Sequence, residues 1–325
     1  MTPSEKKQIG SLNATLEKEI TIRLVENGHA MGRAMAAFCD ALTSLAPKIG
    51  VRREWDDQRP LPLIELTDSI GYGGVPEGTE FKPFVELLAA VGTPSAKVPE
   101  VVGDRLASVA APASMTLYVS SMCPHCPQMF RQIYPLCLAN ERLKLTVVDG
   151  PAFPETAGAD RVKSLPTLIL DDRFRWTATV DLAELVEIIV DRNPAELGVA
   201  SLKGMIQDGN AYGLSEMMLT AKTVFPAFVD LLTHAEFSVR LGAMAAMEEV
   251  AERNMSVAGQ AAAPLVERFE ELDDQVKGDA LYVIGLCGNQ EASSFLASVA
   301  RATENNELRE AAEDALEALA SRRVE

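Results

Sequence analysis

Between Met115 and Tyr134 a β-prone run, a C-x-x-C and an apolar-periodic segment follow one another, and this order narrows the available folds more than any other stretch. Met115-Thr-Leu-Tyr-Val119 is short, apolar and rich in strand formers, so it reads as a strand. Gln128-Met-Phe-Arg-Gln-Ile-Tyr134 spaces its apolar residues as a helix does. Cys123-Pro124-His125-Cys126 lies between them, at a strand-to-helix turn. In that context C-x-x-C points to thiol redox chemistry. The rival reading, a zinc site, needs two further ligands at suitable spacing. The chain has five cysteines and three histidines, and the nearest spare, Cys137, has no partner pair beside it, so no metal site is expected.

The expected chemistry follows from position. A cysteine at the opening of a helix meets unpaired backbone N–H groups and the positive end of the helix dipole, which favour a thiolate. Cys123 is therefore the expected nucleophile, with Cys126 one helical turn deeper to resolve the mixed disulfide. A protonated His125 would add further stabilisation of negative charge. Pro127 is tolerated in a first turn, where no hydrogen bond is lost.

A second signal is Ser164-Leu165-Pro166-Thr167-Leu168-Ile169-Leu170, about forty residues downstream. Pro166 cannot donate to a ladder, so it belongs at a strand start or an edge, and alone it would mean no more than that. Together with the C-x-x-C it resembles the thioredoxin superfamily. That resemblance implies a cis Leu165–Pro166 bond beside Cys123, and a Leu165 backbone that pairs with the incoming peptide. It also makes Pro124, Leu165 and Thr167 the substrate-facing residues, and Pro166 part of the catalytic set with Cys123, Cys126 and His125.

At 325 residues two or three folding units are expected. A net charge of −17 argues against nucleic acid or an anionic membrane surface as partner. Met1 to Asn13 is polar with no apolar core, and no run reaches a membrane span. With few cysteines and one C-x-x-C, the expected compartment is the cytoplasm, where paired thiols are catalytic.

Upstream of the dithiol the chain has the same shape once already. Ile20-Thr-Ile-Arg-Leu-Val25 reads as a strand, Ala30 to Leu45 as a helix, Gly50 to Trp55 as a strand, and Leu61-Pro62-Leu63-Ile64 as a second proline-led strand. Ile20-Thr-Ile22 is aligned with Met115-Thr-Leu117, and Gly28-His29 then falls where the cysteines belong, so this copy is expected to be redox-inactive. Cys39 reads as packed core. Gly92 to Pro99 reads as a connection. Over residues 16–195 the arrangement resembles the N-terminal domain of the flavoprotein subunit of alkyl hydroperoxide reductase, related to archaeal protein disulfide oxidoreductases. The residues that carry the likeness are the proline-led strand of the first copy, Thr79-Glu80-Phe81 after a Gly-rich turn, the C-x-x-C, Val148-Asp149-Gly150 and Leu165-Pro166-Thr167. The resemblance implies a proton-transfer role for Glu80; an exposed first-turn glutamate is the alternative. No G-x-G-x-x-G follows a strand. The expectation is therefore no cofactor beyond the Cys123–Cys126 pair, and electrons supplied by a thioredoxin-reductase-like donor.

After Asn193-Pro194 the chain turns to alanine-rich amphipathic helices. Leu202-Lys203, Val239-Arg240, Val276-Lys277 and Leu308-Arg309 recur at spacings of 37, 37 and 32 residues, with Asp274 and Asn306 as expected N-caps. The pattern resembles HEAT repeats, which implies a stacked solenoid with a protein-binding surface, or one that only packs on the redox unit. Cys287 reads as core and His234 as a helix end.

The expected architecture is thus an α/β tandem of thioredoxin-like folds followed by an all-α HEAT-like solenoid: 1–100 without C-x-x-C, 101–195 with the active CPHC, and 199–325 as helical repeats. The expected activity is thiol–disulfide exchange, reducing a protein disulfide, with a protein partner docked on the repeats. The rivals are a non-catalytic redox-sensing adaptor and a glutathione-dependent glutaredoxin-like enzyme.

Overall fold

The computed structural model describes residues 1–92, 98 and 100–321. The chain divides into two compact units, Met1–Arg192 and Asn193–Glu325. The expected connection between Gly92 and Pro99 falls largely outside the described residues.

The first unit is organised on one eight-stranded sheet of order β2-β1-β3-β4-β6-β5-β7-β8. Its strands are β1 (Ile20–Glu26), β2 (Ile49–Trp55), β3 (Leu63–Thr67), β4 (Ile70–Gly73), β5 (Ala113–Val119), β6 (Leu143–Asp149), β7 (Thr167–Leu170) and β8 (Phe174–Thr177). Its helices are α1 (Pro3–Thr15), α2 (Ala30–Leu45), α3 (Phe81–Gly92), α4 (Glu100–Leu106), α5 (Cys126–Ala139), α6 (Pro154–Ala159) and α7 (Leu182–Asp191). The two halves repeat one plan. β1 lies parallel to β2 and antiparallel to β3, which turns back into β4; β5 lies parallel to β6 and antiparallel to β7, which turns back into β8. The halves join edge to edge, with Gly71 of β4 opposite Thr146 of β6 in a parallel ladder. A lone four-stranded half would leave that edge unpaired; the junction satisfies its backbone groups within the chain.

The alternation along β5 explains the layers. Ala113, Met115, Leu117 and Val119 point into one large core shared with α2, α3, α5 and α7, whereas Tyr118 joins Leu61, Val148, Phe153 and Ile169 on the opposite face beside α6. Because β1, β4, β5 and β6 all run the same way, the turns after β1 and β5 open at the same edge of the sheet. α1 starts with a capping box between Thr2 and Glu5 and buries Ile9 and Leu12. The β7–β8 turn holds Asp171 and Asp172 at φ 48° and 59°, the left-handed pair a tight hairpin requires.

The strand register differs from the sequence alignment of the halves. Leu24 pairs with Ile64 and Leu117 with Leu168, so Leu24 corresponds to Leu117 and Ile22 to Met115, two residues from the expected match. A slip of two leaves every side chain on its own face, so hydrophobic patterning does not detect it.

The second unit is helical: α8 (Val199–Gln207), α9 (Ala211–Ala221), α10 (Pro226–Leu232), α11 (Phe237–Arg253), α12 (Met255–Ala258), α13 (Ala262–Arg268), α14 (Asp274–Cys287), α15 (Gln290–Ala302) and α16 (Asn306–Ser321). α11 packs on α9 and α14, and α14 on α16, while α8 packs on α10 and α13 on α15. Val239, Val276 and Leu308 each stand third in their helices; Leu202 stands fourth in α8. The caps also fall one residue earlier than expected. Asp273 accepts from the Val276 N–H, and Asn305 from the Glu307 N–H. The expected caps, Asp274 and Asn306, are the first helical residues. Arg240 is 1% exposed, with Nε 2.7 Å from Asp279 and Nη1 donating to the His234 and Ala235 carbonyls at 2.7 and 2.8 Å. No helix among the described residues is long and apolar enough to cross a membrane.

Candidate active site

The turn after β5 carries Cys123-Pro124-His125-Cys126, with α5 beginning at Cys126. Cys123 is half-buried and Cys126 buried, and both are free thiols. The Cys126 N–H, one of the unpaired donors of the first turn, points at Cys123 Sγ from 3.3 Å. Pro124, His125 and Met122 are exposed around the sulfur, Met122 at 86%. Burial, then the hydrogen bond with Cys123, holds the Cys126 thiol well above its ordinary range. Access and burial thus divide the pair into an outer and an inner sulfur.

The Leu165–Pro166 bond is cis, and the Cys123 thiol lies 3.6 Å from the Leu165 carbonyl, to which it is directed. Thr167 is buried and its hydroxyl donates to the Ser164 carbonyl at 2.7 Å, tying down the segment before β7. The dithiol and the proline-led strand therefore meet.

Glu80 closes the inner side. It is not an exposed first-turn residue: it ends a 3-10 turn, Gly78–Glu80, is 1% exposed, and neither carboxyl oxygen has a hydrogen-bond partner among the described residues. Burial raises its pKa to about 7, against the favourable charge of Arg131 and helped by that of Asp149. Arg131 itself is held by Glu86 of α3 through Nε at 2.5 Å and Nη2 at 3.2 Å. Glu80 is near enough for its charge to push the Cys126 thiol further up. Asp149, at the end of β6, is also raised, by burial and then by the charge of Glu77, against a backbone hydrogen bond from Ala152.

Contacts the sequence did not reveal come from the first half. The Thr79 N–H donates to the Ser121 carbonyl at 2.9 Å, and the Thr79 hydroxyl reaches the Cys123 carbonyl at 2.9 Å. Gly78 has φ +56°, and a Cβ there would fall 2.3 Å from the Ser121 oxygen. The only hint was that Thr79-Glu80-Phe81 follows a Gly-rich turn. In the first half the turn after β1 holds Asn27, Gly28 and His29, without a thiol; His29 Nδ1 caps α2 at Met31 N–H and its ring lies 4.9 Å from Phe153. Cys39 and Cys137 are buried, and burial raises both thiols, Cys39 to about 12. Among the described residues no cluster of metal-ligating side chains occurs.

No family model matches the chain. An NADH dehydrogenase of Bacillus subtilis is 22% identical over 184 residues, 56% of this chain and 36% of that protein. The alkyl hydroperoxide reductase protein AhpF of Xanthomonas campestris pv. phaseoli is 24% identical over 202 residues, 61% of this chain and 38% of its own length. The chain therefore spans little more than a third of these relatives. Among solved structures, the N-terminal domain of AhpF from Enterococcus faecalis matches with TM-score 0.51 at 19% identity, over 58% of this chain and 99% of that one. A protein disulfide oxidoreductase of Aeropyrum pernix matches with TM-score 0.53 at 12% identity, over 60% and 95%.

The first unit is built on thioredoxin-like folds. The expectation of a thiol–disulfide oxidoreductase accords with the names of these relatives. The expectation of no cofactor does not, and is corrected: relatives sharing this region are named NADH dehydrogenase. The turns after β1 and β5 contain one glycine and none, so neither of these two forms the glycine-lined cradle that a pyrophosphate needs.

Proposed function

We propose that the chain is a thiol–disulfide oxidoreductase that reduces protein disulfides through Cys123 and Cys126. The observation that carries this reading is the half-exposed Cys123 sulfur, under the Cys126 N–H at a helix opening and beside the cis Leu165–Pro166 bond. The Cys123 thiolate attacks one sulfur of the substrate disulfide, forming a mixed disulfide and expelling a substrate thiolate. Cys126 then loses its proton and attacks Cys123 Sγ, releasing the second substrate thiol. The substrate gains two electrons and two protons, and the Cys123–Cys126 pair ends as a disulfide. Glu80, whose pKa is raised to about 7, is suited to take the Cys126 proton at neutral pH and return it on reduction. His125 and Pro124 border the entering sulfur, and the Leu165 backbone and Thr167 form the strand edge met by the substrate.

The pair is recharged by a thioredoxin-reductase-like donor, a reading supported by the relatives named NADH dehydrogenase. Residues 1–100 and 101–195 are read as the inactive and active halves. Residues 199–325 are read as HEAT-like repeats that dock a protein partner, supported by the successive packing of α9, α11, α14 and α16 and by a groove of about 340 Å³ bordered by exposed Phe237, Leu241 and Tyr282. The cytoplasm is the proposed compartment.

Trapping tests the reading. Cys126→Ser is expected to retain substrate proteins as mixed disulfides on Cys123, released by dithiothreitol and named by mass spectrometry. Cys123→Ser is expected to abolish insulin reduction; a Cys123→Ser protein that still reduces insulin would end the proposal.

A further inference from the structure

The Cys123 carbonyl finds no donor inside its own turn. A carbonyl in a turn that opens a helix is ordinarily met by the N–H three or four residues on. Here the Cys126 N–H points at Cys123 Sγ instead, 3.3 Å away, and the following residue, Pro127, has no N–H. The donor comes from the first half, 44 residues back in the chain: the Thr79 hydroxyl lies 2.9 Å from the Cys123 carbonyl. The Ser121 and Ser120 carbonyls stand further from that hydroxyl, at 3.2 and 3.4 Å. The Thr79 N–H holds the Ser121 carbonyl at 2.9 Å, so one residue grips the turn on both sides of Met122. Thr79 is half-buried between Gly78, which meets the Ser121 oxygen closely, and the buried Glu80.

We propose that Thr79 is a positioning residue for the dithiol: its hydroxyl supplies the donor that Cys126 and Pro127 withhold, and so holds the Cys123 peptide with Sγ beneath the Cys126 N–H. The first half, without a C-x-x-C of its own, thereby builds part of the redox turn of the second. The use of this clamp in catalysis rests on the dithiol reading; the clamp itself is geometry. Its weight differs between the two redox states. In the oxidised pair the S–S bond fixes the turn covalently. In the reduced pair only hydrogen bonds fix it, and the Cys123 sulfur draws most on the Cys126 N–H when it is a thiolate. Loss of the hydroxyl therefore falls mainly on the reduced pair and moves the equilibrium toward the disulfide.

The potential of the pair tests this. Thr79→Val keeps the backbone N–H and the shape and removes the hydroxyl; Thr79→Ala removes the hydroxyl without the bulk; Thr79→Ser keeps the hydroxyl. Each full chain is equilibrated in glutathione buffers, and the reduced fraction is read by mass after alkylation. Thr79→Val and Thr79→Ala are expected to favour the disulfide about fivefold over wild type, the scale of one net hydrogen bond, which makes the pair about 20 mV more reducing. Thr79→Ser is expected to stay within about twofold of wild type on the same scale. An unmoved potential in the two variants without the hydroxyl, a shift toward the dithiol, or a shift that Thr79→Ser shares overturns the inference. So does a shift in Thr79→Val that Thr79→Ala lacks, since packing then accounts for it. The equilibrium is read without a protein substrate. A chain whose potential follows the hydroxyl, but whose Cys123→Ser variant still reduces insulin, loses the dithiol reading and keeps the clamp.

Discussion

Replacing Glu80 by Gln removes a carboxyl that the fold holds in its neutral form, and the effect depends on pH in a direction the structure sets. The native pKa is raised from 4.5 to about 7. Below pH 4 the carboxyl is protonated in both folded and unfolded chains, and Glu80→Gln changes little. Between 4.5 and 7 the unfolded carboxyl ionises while the buried one does not, so rising pH draws the wild type toward unfolding. Above 7 the native group also ionises and the loss levels off. The span of roughly 2.5 pKa units at 1.36 kcal/mol each gives about 3 kcal/mol. Glu80→Gln is therefore expected to be close to wild type in stability at pH 4.5 and about 3 kcal/mol more stable at pH 8.5. Both tryptophans, Trp55 and Trp176, belong to the first unit, so urea titrations followed by tryptophan fluorescence report on the unit that contains Glu80. The same variant is expected to slow resolution of the mixed disulfide by roughly 100-fold, the lower range of general-base effects. A stability difference that does not change between the two pH values would refute the burial argument. A more stable variant with undiminished resolution would remove Glu80 from proton transfer only.

Arg131→Met deletes the cation that opposes the upward shift of Glu80, so the pH midpoint of single-turnover resolution is expected to move to higher pH; a downward move would contradict the electrostatics. Gly78→Ala forces a Cβ against the Ser121 carbonyl at positive φ, and is expected to cost about 1–3 kcal/mol by denaturant titration and to lower insulin reduction through displacement of the dithiol turn. Arg240→Met leaves Asp279 and the His234 and Ala235 carbonyls without their donor, at an expected cost of roughly 3–5 kcal/mol in thermal unfolding followed by circular dichroism. Asp279→Leu added to it is expected to recover part of that loss, since the half-buried Asp279 carboxylate no longer lacks its cation.

Much of the first unit was legible because its signals are local. The β5 run, the C-x-x-C and the start of α5 lie within twenty residues, and strand alternation, helix entry and proline placement are decided over such distances. The repeated proline-led strand revealed two halves of one plan. The register between them was not legible, since a two-residue slip conserves the pattern of faces. Nor were the caps of α14 and α16, where adjacent residues, Asp273-Asp274 and Asn305-Asn306, are equally good candidates until the backbone chooses.

What the sequence supplied by itself was the local signals of thiol chemistry: two thiols at a strand-to-helix turn, a proline-led strand, and a first copy without a C-x-x-C. What only the tertiary structure decided was the environment of that chemistry. The parallel junction of β4 with β6 places Gly78, Thr79 and Glu80 under a turn more than forty residues away, and the surrounding core strips Glu80 of water. The physical reason is range. Helix entry and strand alternation depend on near neighbours in the chain, whereas edge pairing and desolvation are sums over residues that only the folded chain brings together.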